Sequence, residues 1–396
     1  MTDPSAEWLT AETALSRLGI ARQTLYAYVS RGLVRTRAAA DDPRRSLYDP
    51  RSIDALVERR RRGRARHAVA AATIDFGEPL LASRITQIAD GALLYRGHDA
   101  IALAASATLE QTAAVLWETP ALPDVATAEF VSADELSAIA RCLRRIASLH
   151  GRSIWARNPA ALIVDAAMLL RHVGEAASNT TAEGPLHLVL ARAWGVDAGG
   201  ADLIRRALVL CADHELNAST FAVRVVASTG AALPACLLAG LAALTGPLHG
   251  GATERVAACL AEPGMAADPH AAIGARLARG DSLPGFGHRL YPDGDPRAAA
   301  LLAALDPDPW WHAVLAAIHD LTGLQPNIDF ALVALERRCR LPPGSALAIF
   351  AVGRAVGWIA HALEQHADGR LIRPRASYAG VASGRHQHRI NVADAR

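Results

Sequence analysis

Apolar residues recur at helical spacing along most of the chain, whereas strand-like alternation of apolar and polar positions is rare. From residue 68 onward, stretches rich in Ala, Leu and Arg carry one apolar face and are interrupted by Pro or Gly every few turns. This pattern predicts a mainly α-helical body over residues 68–396. One exception is the stretch 74–100, where Gly-Glu-Pro, Ala-Asp-Gly and Arg-Gly-His breaks favour short strands and turns.

The first 67 residues show a different pattern. Thr10 is suited to cap a short helix that ends at Gly19, and a second helix is expected from about 22 to 30. This second helix should turn Leu25 and Val29 inward and should present the polar residues Arg22, Gln23, Thr24 and Tyr28. Residues 33–48 then predict a strand, a polar loop and a returning strand, and another helix begins after Asp49-Pro50.

The runs "LTAETALSRLGIARQTLYAYVSRGLV" and "RRSLYDPRSIDALV" together resemble the winged helix-turn-helix of the MerR and excisionase type, over about residues 8–62. The resemblance implies DNA binding through residues 1–67, with the second helix in the major groove. The distribution of charge agrees with DNA binding, because residues 1–67 are net positive and the rest of the chain is net negative. Residues 1–67 hold 14 Arg against 8 acidic residues, and residues 68–396 hold 27 Arg against 31 acidic residues. The alternative is a small helical module that docks on the body or on a partner. The arginines between 59 and 66 form either a solvated linker or a phosphate contact.

Composition indicates the class of protein and its cellular compartment. The chain is 51% hydrophobic and 20% charged, which is typical of a globular protein. Its five cysteines are scattered and form no Cys-x-x-Cys pair, so we expect no disulfide framework, no metal site and a cytoplasmic location. The N-terminus lacks the apolar region of a signal peptide. The uncharged run 225–248 contains prolines and glycines, which favours a buried helix pair over a membrane span, and no membrane partner is predicted.

Three segments each place a polar residue in a glycine-rich or turn-like setting beside a helix. They are "TGPLHGGA" with His249, "PGFGHRLYPDGDPRA" with His288 and Arg297, and "PNIDF" with Asp329. A helix that starts just after His249 lowers the pKa of the imidazole and favours its neutral form. Arg297 opens a helix and suits a bidentate pair with a carboxylate. Taken together, two histidines on turns, a carboxylate and several arginines predict a catalytic site.

These three motifs, in this order, resemble the citrate synthase family. Further similar stretches are "DHELNASTFAVRV", "VGRAVGWIAHALEQ" and "LIRPRASYAG", and the resemblance covers about residues 73–383. It implies a two-domain all-α body, with a small domain at roughly 250–345 and the rest of 68–396 as the large domain. It also implies an obligate homodimer that condenses acetyl-CoA, as co-substrate, with oxaloacetate, and no permanently bound cofactor.

The resemblance also assigns roles to residues. Asp329 would be the base that removes a proton from the acetyl-CoA methyl group, His249 would donate a hydrogen bond to the thioester oxygen, and His288 would polarise the keto oxygen of oxaloacetate. The oxaloacetate dianion would be held by Arg297, Arg354 and Arg373 with His214 beside them, Arg373 reaching across from the other subunit. Asn217 is expected to be structural, and Arg289 either contacts CoA phosphates or is a surface arginine.

Some positions depart from the family pattern. Ala331 follows "PNIDF" where many members have Tyr, Thr253 stands where Asn is common, and the stretch 179–201 is compressed. These departures leave the choice of acyl-CoA open. A 2-methylcitrate synthase that uses propionyl-CoA is therefore one alternative, and a DNA-binding regulator that senses metabolites through the body is another.

Overall fold

The computed structural model describes residues 8–20, 22–30, 33–39, 42, 45–57, 81–125, 132–133, 135–181, 183–305 and 309–376. The chain divides into two compact units, Met1–Ala82 and Ser83–Arg396. The boundary predicted at residue 67 and the arginine run before it lie outside the described residues. The second unit is compact as a whole, and its division into a large domain and a small domain at 250–345 stays a prediction.

The first unit contains helices α1 (Ala11–Leu18) and α2 (Arg22–Ser30), an antiparallel hairpin of β1 (Thr36–Ala38) and β2 (Ser46–Tyr48), and a helix α3 at 50–57. Thr10 caps α1 by accepting the Thr13 N–H, and Gly19 ends it in the left-handed conformation. A small core joins the elements and includes Ala14, Leu18, Leu25, Val34, Tyr48, Ile53 and Leu56.

The expected outer face of α2 was wrong in one respect. Leu25 is fully buried, as predicted, but Tyr28 is half-buried and packs against the small core. Tyr26 is instead the exposed aromatic residue, with 55% of its surface accessible. The two tyrosines lie on either side of the buried face that Leu25 marks. A small error in the assumed rotation of the helix therefore changes which of them is exposed.

The second unit begins with a small antiparallel sheet. The breaks between residues 74 and 100 predicted short strands there, and this holds for residues 81–100, the part of the stretch that the structure describes. Its strands are β3 (Thr86–Ala89), β4 (Ala92–Tyr95) and β5 (His98–Asp99). The rest is helical, as predicted: α4 (Ala100–Ser106), α5 (Leu109–Leu116), α6 (Ala138–Ala147), a short 3₁₀ turn (Ile154–Ala156), α7 (Pro159–Ser178), α8 (Leu186–Ala193), α9 (Ala198–Leu210), α10 (Ala218–Ala227), α11 (Leu233–Leu244), α12 (Ala252–Leu260), α13 (Pro269–Ala278), α14 (Pro296–Leu305), α15 (Pro309–Thr322), α16 (Ile328–Arg338) and α17 (Ser345–Asp368).

Helix α17 forms the centre of the second unit and packs against α7, α9, α10, α11 and α16. Within the described part of the chain it is the one helix long and apolar enough to cross a membrane, and 94% of its most apolar window is buried inside the unit. A helix that is apolar all round is typical of a protein core as well as of a span. The uncharged run 225–248, by contrast, holds the end of α10 and all of α11.

Glycine allows α17 to approach the segment after α9 closely. The Gly357 N–H donates to the carbonyl oxygen of Ala212 at 2.9 Å. A Cβ atom at 357 would lie 2.4 Å from that oxygen and 2.3 Å from Oδ1 of Asp213. No side chain fits at this distance, and the close approach brings Arg354 and Trp358 of α17 beside Cys211 and Ser219.

Candidate active site

Two of the three motif segments are joined through their backbones. The Gly287 N–H donates to the carbonyl oxygen of Gln325 at 2.8 Å, and the Asn327 N–H donates to that of Gly285 at 2.9 Å. Gly285 has φ +85°, and a Cβ atom there would meet Val256 and Phe330. Glycine is therefore required at this position, and the turn that carries His288 is fixed to the start of α16, where Asp329 lies.

His249 ends the turn before α12 and contacts a small hydrogen-bond cluster. Its Nε2 lies 2.7 Å from Ser219 Oγ, which accepts the Trp358 indole N–H at 3.2 Å and lies 2.8 Å from Asn217 Oδ1. Burial lowers the pKa of His249 to about 4, and the charge of Arg354 adds to the effect. The imidazole is therefore neutral at neutral pH. The single Ser219 proton goes either to Asn217 Oδ1, in which case His249 Nε2 carries the ring hydrogen and donates to Ser219, or to Nε2. In the second arrangement the ring hydrogen of His249 lies on Nδ1 and is available to a ligand.

The other two histidines lie together. The rings of His214 and His288 meet edge to face with centroids 5.1 Å apart, and His214 Nε2 lies 3.1 Å from the Tyr291 hydroxyl. The Leu290 N–H donates to His288 Nδ1 at 3.2 Å, which places the ring hydrogen of a neutral His288 on Nε2. Burial, followed by the charge of Arg297, lowers the pKa of both rings, and that of His214 falls well below its usual value. Both are therefore uncharged hydrogen-bonding groups.

Arg297 forms the bidentate carboxylate pair that its position predicted, but the carboxylate belongs to the protein. Its Nε and Nη2 donate to the two oxygens of Asp295 at 2.9 and 2.8 Å. Only 2% of Arg297 is accessible. In the part of the chain that the structure describes, its Nη1 makes no hydrogen bond, so one edge of the guanidinium is left for a ligand.

Arg354 is a buried cation that forms no ion pair with a carboxylate among the described residues, although the charge of Asp213 acts on it. Its Nε donates to the carbonyl oxygen of Cys211 at 2.8 Å and its guanidinium lies 4.7 Å from the centroid of the Phe350 ring. Nη1 is buried and has no hydrogen-bond partner among the described residues. Burial lowers the pKa of Arg354 from its usual value. A buried, unsatisfied N–H is costly, so this geometry fits a bound anion that accepts a hydrogen bond.

Asp329 lies in the first turn of α16, and its N–H donates to the side chain of the capping residue Asn327 at 3.0 Å. Its carboxylate is half-buried and forms no hydrogen bond or ion pair within the described ranges. Burial raises the pKa of Asp329 to about 6, although the charges of Arg297 and Arg354 oppose the rise. A carboxylate with this pKa is ionised at neutral pH and is a stronger base than an ordinary aspartate.

Six of the seven candidate residues influence one another's charge and form one group, and Arg373 lies outside it. The six are His214, His249, His288, Arg297, Asp329 and Arg354. The positive charges of Arg297 and Arg354 act on His214 and Asp329, that of Arg297 also on His288, and that of Arg354 on His249. Arg373 is exposed on the segment after α17 and makes no described hydrogen bond or ion pair. Arg289 is also exposed.

The sequence singled out neither Asp295 nor the pair Ser219 and Trp358 as members of the site. Asp295 stands two residues before Arg297 at the start of a helix, and this spacing could have predicted the ion pair between them. Ser219 and Trp358 lie 139 residues apart, and only the packing of α10 on α17 brings them together. Asn217 caps α10 by accepting the Thr220 N–H at 3.0 Å, which agrees with a structural role.

Comparison with known proteins identifies the family. A family model described as "Citrate synthase, C-terminal domain" matches residues 149–375, which is more than half of the chain. The chain belongs to the citrate synthase family. Among curated relatives, "Citrate synthase 2" of Bacillus subtilis is 41% identical over 189 residues, covering 45% of this chain and 51% of the relative. "2-methylcitrate synthase" of Shewanella oneidensis is 37% identical over 185 residues, covering 44% and 49%. The matched part thus spans about half the length of the curated relatives.

Solved citrate synthases share the fold over a longer stretch. The enzyme from Thermotoga maritima superposes with a TM-score of 0.62 at 27% identity, covering 77% of this chain and 94% of that one. The enzyme from Thermoplasma acidophilum, solved as a ternary complex with carboxymethyl coenzyme A and oxaloacetate, gives 0.61 at 25% identity, covering 77% and 95%. The mainly helical, citrate synthase-like fold predicted from the motifs is confirmed.

Proposed function

We propose that this chain condenses acetyl-CoA with oxaloacetate and water to give citrate and CoA. The observation that carries the proposal is the buried guanidinium of Arg354, whose Nη1 has no partner among the described residues and suits an anion. It forms one electrostatic group with neutral histidines and a basic carboxylate. Oxaloacetate supplies two carboxylates and a keto oxygen to such a group. Membership of the family and the Thermoplasma acidophilum complex with oxaloacetate support the same substrates.

In the first half of the proposed reaction, Asp329 removes a proton from the methyl group of acetyl-CoA. The electron pair moves toward the thioester oxygen, and His249 stabilises the developing charge by donating its ring hydrogen there. A pKa near 6 suits Asp329, because the carboxylate is ionised at neutral pH and retains basicity. The low pKa of His249 keeps that ring neutral, so it donates a hydrogen bond without carrying a charge of its own.

In the second half, the enolate carbon attacks the keto carbon of oxaloacetate and forms the new carbon–carbon bond. His288 hydrogen-bonds the keto oxygen through Nε2 and gives its proton to the alkoxide as that bond forms. This leaves a citryl thioester, a deprotonated His288 and the methyl proton on Asp329. Water then cleaves the thioester, releasing citrate and CoA, and return of the proton from Asp329 to His288 restores both groups. The Leu290 N–H supports this role because it occupies Nδ1 and keeps the hydrogen on Nε2.

Under the same proposal, Arg354 and the open edge of Arg297 hold the oxaloacetate carboxylates with His214 beside them, and Arg373 completes the clamp from the other subunit of a homodimer. Arg373 is exposed and contributes to no described site within its own chain. Exposed apolar side chains at Trp155, Val164 and Met168, which are 61%, 39% and 40% accessible, support a buried subunit contact.

An assay of free CoA with a thiol reagent tests the activity. Wild-type chain supplied with acetyl-CoA and oxaloacetate should release CoA, and Asp329→Ala should reduce the rate to background because the base is lost. Equal rates from the two preparations would refute the proposal.

Propionyl-CoA is a second candidate substrate, with 2-methylcitrate as product. Its support is that relatives at 37% and 35% identity bear the name 2-methylcitrate synthase. Comparing kcat/KM for the two acyl-CoAs decides the preference. One additional methylene changes selectivity by only ~10–200-fold, so both substrates should react.

We further propose that the first unit is a winged helix-turn-helix module that binds DNA. Helix α2 exposes Arg22, Gln23 and Tyr26, and the hairpin region exposes Arg35 and Arg37. Such a surface suits phosphate and base contacts. The alternative to an enzyme with this module is a regulator whose body only senses oxaloacetate or acyl-CoA. DNA binding that responds to these ligands, in a chain without CoA release, would favour the regulator.

A further inference from the structure

The segment that carries Arg373, residues 369–376, is called here the arm. Helix α17 ends at Asp368, and Gly369 adopts φ +68° while its N–H donates to the carbonyl oxygen of Gln365 at 3.1 Å. This left-handed residue turns the chain out of the helix. The arm belongs to neither helix nor strand, yet hydrogen bonds to its backbone hold it to the body at two further points, and the Arg370 side chain also binds Asp368 at the end of α17.

The two anchors act on the arm backbone just before Arg373. The side-chain Nε2 of Gln365 donates to the carbonyl oxygen of Arg370 at 2.9 Å. The N–H of Ile372 donates to Ser228 Oγ, at the end of α10, at 3.1 Å. Arg373 therefore leaves a backbone that is fixed immediately before it, although its own side chain is exposed.

A buried arginine fixes the orientation of the Gln365 amide. The Nε of Arg224 donates to Gln365 Oε1 at 2.9 Å, so the amide oxygen must face Arg224 and the NH₂ group must face the arm. The Nη1 of Arg224 is held by Glu364 and by His361 Nδ1. Arg224 and Gln365 are each only 2% accessible. Neither side chain is free to turn away, so the donor that Gln365 presents to the arm is preorganised.

We propose that Gln365, oriented by Arg224, is a positioning residue that holds the arm so that Arg373 is presented to the site of the neighbouring subunit. The inference rests on the proposed function, in which Arg373 completes the partner's oxaloacetate clamp. An arginine on an unanchored segment loses much conformational freedom when it binds a ligand, and prior anchoring of the backbone reduces that loss. The anchors thus set oxaloacetate affinity in the neighbouring site without touching the substrate.

Gln365→Glu tests this inference with little change of size. The glutamate retains an oxygen for Arg224 but loses the donor to the Arg370 carbonyl oxygen. We expect the KM for oxaloacetate to rise about tenfold with kcat nearly unchanged, and amide hydrogen exchange in 369–373 to accelerate. Ser228→Ala, which removes the other anchor, should act in the same direction. Gln111→Glu is the matched control, because the Gln111 side chain accepts the Thr108 N–H in an exposed capping box on α5 and makes no other hydrogen bond among the described residues.

Mixed dimers show in which subunit the anchor acts. A dimer of one Gln365→Glu chain and one Asp329→Ala chain has a single competent site, and the arm that reaches it comes from the chain with intact anchors. Its oxaloacetate KM should return to the wild-type value. A KM that stays raised would place the effect within the mutated subunit and would overturn the inference.

Failure of the proposed function gives a different result. If the wild type releases no CoA, the proposed function falls, and hydrogen exchange of the same preparations still tests the arm. Exchange in 369–373 that Gln365→Glu and Ser228→Ala leave unchanged overturns the inference. Acceleration in both variants, but not in Gln111→Glu, supports it.

Discussion

Asp295 binds Arg297 through both carboxylate oxygens, and one of these oxygens also accepts the N–H of Ile328, the first residue of α16, at 3.0 Å. One buried carboxylate thus fixes an arginine of the proposed clamp and the helix that carries Asp329. Burial opposes the ionisation of Asp295, but the adjacent Arg297 outweighs it and holds the pKa of Asp295 below its usual value. The proposed oxaloacetate clamp and the candidate base are therefore coupled through a single side chain.

Asp295→Asn should weaken both the fold and oxaloacetate binding. The amide cannot neutralise Arg297, whose charge is then buried without a counterion, so we expect the free energy of unfolding to fall by about 3 kcal/mol. The KM for oxaloacetate should rise at least about tenfold, equivalent to about 1.4 kcal/mol. Urea denaturation and steady-state kinetics measure the two effects.

The pair of Arg157 and Asp165 provides the control. It is also bidentate, at 2.8 and 2.6 Å, but both side chains are about one quarter accessible. Solvent screens such a pair, so Asp165→Asn should cost about 1 kcal/mol or less and should leave the KM unchanged. Equal losses of stability in the two variants would contradict a special role for Asp295.

Asp329→Asn should abolish activity and stabilise the protein. The pKa of Asp329 rises from 3.8 to about 6 on folding, so at about pH 3 the carboxyl group is protonated in both states and costs nothing. Between about pH 3 and about pH 7 the unfolded chain ionises first, which lowers the stability of the wild type, and above about pH 7 the loss is complete. The shift sets an upper limit of about 3 kcal/mol, and partial exposure should reduce the gain to about 1–2 kcal/mol.

Thermal or urea unfolding at several pH values measures this gain. The difference in stability between Asp329→Asn and wild type should be near zero at about pH 3 and should reach a plateau above about pH 7. Asp320→Asn, at an exposed carboxylate on α15, is the control for the same substitution at a surface position. A difference that shrinks as the pH rises would show that the pKa of Asp329 is not raised.

The sequence marked the residues of the candidate site that lie in motifs, and it gave no signal for the residues that packing brings beside them. His249, His288, Arg297 and Asp329 lie in turns whose glycines, prolines and helix starts mark them, and the structure links them electrostatically. Ser219 lies in the apolar periodicity of α10 and has no local signal, because its partners come from α12 and α17. The same limit explains the orientation of α2, where periodicity fixed the buried side at Leu25 but not whether Tyr26 or Tyr28 faces outward.

Ser219→Ala should reduce kcat about 10–100-fold with little change in either KM. Alanine removes the hydroxyl that bridges Trp358 and His249, so the ring of His249 loses the partner that selects its tautomer. Steady-state kinetics normalised to the folded fraction, which circular dichroism measures, separate this from a folding defect, because a loss of folded protein does not change the rate per folded active site. Ser148→Ala, at an exposed helix end, should leave kcat unchanged. A wild-type kcat in Ser219→Ala would remove Ser219 from the mechanism.

Gly357→Ala should destabilise the second unit by at least about 3 kcal/mol. The new methyl group would meet a backbone oxygen of Ala212 at 2.4 Å and a buried carboxylate oxygen at 2.3 Å, and neither can move without separating α17 from the segment after α9. Gly274 offers the opposite case, because nothing lies within 4 Å of a Cβ there and it lies inside α13. Gly274→Ala should stabilise the chain by about 0.5–1 kcal/mol. Denaturation curves that rank the two variants in the reverse order would contradict the packing.

Removal of two arginines from the first unit should lower the salt dependence of DNA binding. Arg22 on α2 and Arg35 beside the hairpin are both exposed, and each phosphate contact contributes ~0.9 to the slope of log K against log salt concentration. The full-length double variant Arg22→Ala and Arg35→Ala should therefore show a slope shallower by about 1.8 than the wild type, measured by fluorescence anisotropy on a labelled duplex from its own promoter region. Arg152→Ala removes an exposed arginine from the body and should leave the slope unchanged. Salt-independent binding of the wild type, or none, would refute DNA binding through these phosphate contacts and favour a docking role for the first unit.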